Sequence, residues 1–167
     1  MSPANSQPTA SFTRVQARYY GRLGVEVGIF VAVDHLRRAG RLSPAQEAQY
    51  LDIDDWFLAH LPNPPFYDDG NTVGAVTWFR TPLPRQMSDR VDVLRGILAA
   101  HDVECDVVVC DDPGEQIYED DFQVGIIPRV RHDPTPMPAG VRLGPTSAGS
   151  KREFARSSGD RQSSPLS

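Results

Sequence analysis

Apolar and polar positions between residues 12 and 128 follow two spacings, and the changes from one to the other outline the secondary structure. Phe12–Tyr20 alternates strictly: Thr13, Val15, Ala17 and Tyr19 share one side, while Arg14, Gln16 and Arg18 share the other, as in a half-buried strand. After Gly21 and Gly24 the period lengthens. Ile29, Val33 and Leu36 fall at i, i+4, i+7, and Gly40 sits where a C-terminal cap belongs, which predicts a helix over 29–39. Ser43, Pro44 and Gln46 have the spacing of a capping box with proline at the first helical position. The second helix should carry the stripe Tyr50, Ile53, Phe57 and Leu61 and stop at the prolines of 62–65, packing on the first as an αα-hairpin.

Residues 62–72 (PNPPFYDDGNT) read as a loop, and 73–80 as a strand dense in β-formers. Ser88 can cap a third helix over 89–101, with Leu94, Ile97, Leu98 and His101 on its buried stripe. A strand over 103–110 should place Val103, Cys105, Val107 and Val109 on one face. The turn Asp111–Gly114 leads to a last strand or hairpin arm over 116–127, with Phe122, Val124 and Ile126 together. The expected fold is α+β: a sheet of about four strands with three helices on one side, in the order β-α-α-β-α-β-β.

Composition divides the chain. Residues 1–128 hold 10 Arg against 19 Asp and Glu, a net −9, whereas residues 129–167 hold 7 Lys and Arg against 3 acids, a net +4. Three units follow: a disordered N-terminus (1–11), an acidic domain (12–128), and a disordered basic tail (129–167) whose Pro, Gly, Ser and Arg cannot bury enough apolar area to offset chain entropy. Lys151 is the single lysine among 17 basic residues, a bias expected of a GC-rich bacterial genome.

Cys105 and Cys110 lie five apart in one strand, so their side chains oppose and do not pair. Without a second Cys/His cluster, neither a zinc site nor any other cofactor is implied, and a reduced cytoplasmic setting is expected. Residues 1–11 lack the charge and apolar run of a signal peptide, and no stretch approaches the roughly 20 apolar residues of a membrane span.

Candidate chemistry gathers in three places. Asp52, Asp54 and Asp55 fall inside a helix, with Asp52 and Asp55 on one face; a solvated acidic surface accounts for them better than a phosphatase or cyclase motif. The loop places Asn63, Phe66, Tyr67, Asp68, Asp69 and Asn71 on a proline-stiffened segment, with Trp78 on the strand that follows, a combination suited to ligand or partner recognition. Asp111, Asp112, Glu115, Glu119, Asp120 and Asp121 form an acidic cluster suited to a cation or a basic partner, and also to a solvated loop that discourages edge aggregation. The four histidines have no metal-ligand spacing, and neither nucleotide-binding glycine motif is present.

The segments GIFVAVDHL, DDWF, HLPNPPFYDDGN, AVTWF and YEDDFQVG together resemble a family of small uncharacterised bacterial proteins common in actinobacteria. The resemblance spans about residues 12–128 and implies a bacterial origin and that domain boundary, but no activity. The residues therefore favour a non-catalytic binding or accessory protein, regulatory or immunity-like, whose acidic surface meets a protein partner with a basic one. The alternative is a small carboxylate- or metal-dependent enzyme built on the 62–72 loop. Nucleic acid would be met only weakly, through the basic tail.

Overall fold

A computed structural model describes residues 11–140. Strand β1 (Phe12–Tyr20) turns back into the short β2 (Glu26–Gly28), and α1 (Ile29–Arg38), α2 (Pro44–His60), β3 (Val76–Arg80), α3 (Arg85–Ala100), β4 (Cys105–Cys110), β5 (Glu115–Glu119) and β6 (Gln123–Ile127) follow. The α+β class holds, but the sheet has six strands, all antiparallel to their neighbours. The two unforeseen strands are β2, too short to show a period, and β5, which is split from β6 by a turn at Asp120–Phe122.

Strand β1 organises the sheet. Phe12 pairs with both Cys110 and Arg80, and Gln16 with both Asp106 and Gly28. One edge of β1 is therefore filled by β4, while β3 and β2 share the other edge end to end. The sheet continues through β6 to β5, leaving β4 and β5 at opposite margins.

Only four residues, 111–114, join these two margins. Crossing the intervening strands of a flat sheet would take about 19 Å at the usual spacing, plus an offset along the strands, and the connection reaches at most about 18 Å. The sheet must therefore coil. Coiling explains how Phe12, Val76, Trp78, Val124 and Ile126 form a second buried cluster on the face without helices, with Leu23, Val25, Val108 and Cys110 at its margin.

On the other face, Val15, Ala17, Tyr19 and Phe79 meet the helices in the larger core. Helix α2 starts as its capping box predicts: Gln46 N donates to Ser43 Oγ, and Ser43 N donates to the Gln46 side chain. Phe57 joins this core, and beside it Trp56 stacks on His60 while the Arg90 guanidinium of α3 lies 4.0 Å over the Trp56 ring.

Several boundaries are corrected. Helix α3 begins at Arg85, because Met87 N and Ser88 N both donate to Pro84 O; Ser88 thus lies within the first turn and caps nothing. Strand β3 begins at Val76 because Gly74 (φ +66°) ends a turn closed by its N–H to Asn71 O. Phe122, at the β5–β6 turn, packs on the helix-side core, apart from Val124 and Ile126. His101 is half-buried with Nε2 3.1 Å from Gln46 Oε1.

Chain packing also runs beyond Pro128. Arg131 donates to Leu23 O and Gly74 O, Tyr20 N donates to Thr135 Oγ1, Thr135 N returns a bond to Tyr20 O, and Met137 is 2% exposed in the helix-side core. Residues 129–140 are thus a strap carrying an apolar anchor, and the basic segment 141–167 lies outside the described residues, as do residues 1–10.

Candidate functional site

Proline sets the path of the 62–72 loop. Pro64 is buried, and Pro65 opens a single 3-10 turn through Tyr67. The turn lays Phe66 across Gly125 of β6 so closely that any β-carbon there would collide with the ring, and Phe66 meets Tyr118 of β5 edge-on at 6.3 Å. Tyr67 is buried with its hydroxyl 2.7 Å from Thr77 Oγ1.

Asn71 adopts φ +52°, and its carboxamide makes two 2.8 Å bonds to the Ala75 backbone, accepting from N and donating to O. Pro62 O accepts from the fully buried Gln123 amide at 2.7 Å. The loop therefore covers the part of the helix-side face around Thr77, Gly125 and Tyr118. Its aromatics and Asn71 are engaged in holding the sheet; Asn63, Asp68 and Asp69 stand exposed. Trp78 points to the opposite face, into the second cluster, so the seven positions do not converge on a cleft.

Buried and half-buried ionisable groups lie elsewhere. Where β2 and β3 part on the edge of β1, Arg14 Nη1 donates to Gln16 Oε1 at 2.8 Å and to Glu26 O at 2.7 Å. Burial lowers its pKa to about 10, against the opposing pull of Tyr67 and Glu26. Asp34, fully buried on α1, is held by Arg37 and Arg38 one turn on. His35 Nδ1 lies 2.8 Å from the Tyr19 hydroxyl, and burial, then Arg38, lowers its pKa to about 4. In the acidic run of α2, Asp54 is buried while Asp52 and Asp55 are exposed. Among the described residues no group of three or more His, Cys, Asp or Glu side chains could hold a metal ion.

A shallow groove of about 790 Å³ runs between α3 and the start of β4. Its walls carry both signs of charge, Arg18 and Arg95 against Asp92, Asp102 and Glu104, with Cys105 on one wall. Burial pushes the Cys105 thiol up, so it is a thiol and not a thiolate at neutral pH. Cys105 and Cys110 are both free, packed against opposite cores.

The acidic cluster divides by role. Asp120 is structural: Oδ1 accepts from Phe122 N and Gln123 N, and Oδ2 from the Tyr118 hydroxyl at 2.7 Å, which raises the phenol pKa to about 12 behind the larger effect of burial. Arg80 holds Glu119 at 2.8 Å, and Arg129 holds Asp112 at 2.7 Å. Asp111, Asp112, Glu115, Glu119 and Asp121 are exposed, following the β4–β5 turn, the margin strand β5 and the β5–β6 turn. They make an acidic rim around β5, with Glu115 on the helix-side face and Glu119 on the other, as their partners Ile127 and Val124 require.

No family model, curated protein or solved structure matches the chain. The resemblance to small actinobacterial proteins therefore stands on the sequence motifs alone.

Proposed function

We propose that the protein is a non-catalytic binding factor whose acidic rim engages a partner with a basic surface. One observation carries the reading: exposed carboxylates at 111, 112, 115, 119 and 121 follow β5 and the turns at its two ends, and among the described residues only Glu119 and Asp112 have an arginine held against them. A rigid strand and two tight turns fix their spacing, so a basic partner meets charges already in place. The 62–72 loop supports this reading because its aromatics brace β5 and β6 from behind.

The test compares the wild type with a variant carrying Asp111→Asn, Glu115→Gln and Asp121→Asn as bait in bacterial extract. One basic protein should be retained by the wild type at low salt, released as salt rises, and missed by the variant. Equal retention of that protein by both baits, or no protein retained by either, overturns the reading.

A further inference from the structure

The two margins of the sheet are built differently. β5 carries the devices that keep an edge unpaired: exposed glutamates at 115 and 119, and a register shift between Gln116 and Tyr118. β4 has none of them. Its pairing with β1 runs without a shift from Cys105 to Cys110, it contains no proline or basic residue, and its one charge, Asp106, is bound by Arg18 through Nε and Nη2. On its helix-side face Val107 and Val109 are 50% and 59% exposed. A regular, apolar, unprotected edge is a template for another strand.

The hydrogen-bond parity of β4 identifies what it offers. Arg18 N donates to Glu104 O, and this pair continues the β1–β4 register, so residues 104, 106, 108 and 110 turn their backbone groups towards β1. The N–H and C=O groups of Cys105, Val107 and Val109 therefore point outward, and among the described residues no strand pairs with them.

We infer that this edge pairs with the same edge of a second copy of the chain, antiparallel, about a two-fold axis through Val107. The sequence of β4 is complementary to itself in that register. Val107 lies opposite Val107 of the partner subunit, and Cys105 opposite Val109 of the partner subunit. Every outward backbone group of the three residues is then bonded. Asp106 meets Val108 of the partner subunit.

Neighbouring registers are worse. Sliding two residues one way sets Asp106 against its own symmetry mate, a like-charge pair in direct opposition. Sliding two residues the other way leaves Cys105 facing Asp111, beyond the strand. The chosen register forms one sheet across both copies, with the exposed valines joined in a single apolar strip and β5, with its end of each acidic rim, left free. The proposal is thus independent of the rim's partner.

Sedimentation of the full chain over a concentration series tests it. The wild type should form a concentration-dependent dimer. Val107→Pro removes only an outward N–H and leaves the β1–β4 bonds, so it should be monomeric with an unchanged circular dichroism spectrum. Val107→Lys, which keeps the N–H but opposes two like charges, should weaken the dimer even if the proline variant fails to fold. Ile117→Lys, on the β5 margin, should dimerise as the wild type does. Amide exchange adds a residue-level reading: Val107 and Val109 should gain protection with concentration, whereas Asp106 and Val108 should be protected throughout. A wild type that stays monomeric, a folded Val107→Pro or Val107→Lys variant that dimerises fully, or exchange at Val107 that ignores concentration overturns the inference.

Discussion

His35 couples the packing of α1 to pH. Its ring lies between Tyr19 of the sheet and the Arg38 charge, and its pKa falls from 6.5 to about 4, chiefly through burial. The folded chain therefore holds a neutral ring at pH 7. As pH falls the unfolded chain takes up a proton near 6.5, and the folded chain only near 4. Between those values the unfolded state binds more protons, so stability is full above about pH 6.5 and declines as pH falls, levelling below about pH 4 after a loss of up to about 3 kcal/mol. His35→Gln should show a smaller drop in melting temperature between pH 7 and pH 5 than the wild type; equal drops would remove His35 from the account. Residues of this kind mark where sequence reading stops. Ser43 and Gln46 could be read because a cap is local. Arg14 alternates with Gln16 and Arg18 as any solvated strand face would, and is enclosed only because β2 and β3, brought from later in the chain, meet beside it.

Elements show the same division between local and distant causes. Helices α1 and α2 lie within a residue or two of their expected spans, because periodicity and capping are encoded in neighbouring residues. Helix α3 starts at Arg85, four residues before the opening expected from Ser88, because Pro84 O accepts from Met87 N and Ser88 N and the buried Met87 joins the helix-side core. The proline-rich loop reads as a recognition segment, and nothing in its own sequence reveals that Gly125, some sixty residues on, leaves a bare patch of sheet for Phe66. That contact predicts a coupled pair. Gly125→Ala should destabilise the fold by about 1–3 kcal/mol through overpacking. Combined with Phe66→Ala, which removes the colliding ring, its additional effect should shrink. Urea titrations of the two single variants and the double variant measure the coupling, and strict additivity would show that ring and glycine do not bear on each other.

At the scale of the whole molecule, the question is where the packed unit ends. Apolar content, charge and periodicity all change near Pro128, and a boundary there follows from any local measure. Yet the next twelve residues return to the body. The strap bonds to the β1–β2 turn, stacks His132 on Tyr20 at 4.5 Å, takes over the edge of β1 just past the start of β4, and inserts Met137 into the helix-side core. One methionine among prolines makes no periodic signal, so the anchor is invisible until the fold supplies its cavity. Met137→Ala should destabilise the full chain by about 2–5 kcal/mol, the range for truncating a buried side chain. A chain ending at Pro128 loses the anchor and the bonds to Tyr20 and Gly24 together, so it should melt well below a chain ending at Gly140. The two truncations differ only in the strap, which makes the comparison direct. Equal melting temperatures would mean that the strap lies on the body without stabilising it, and would return the boundary to Pro128.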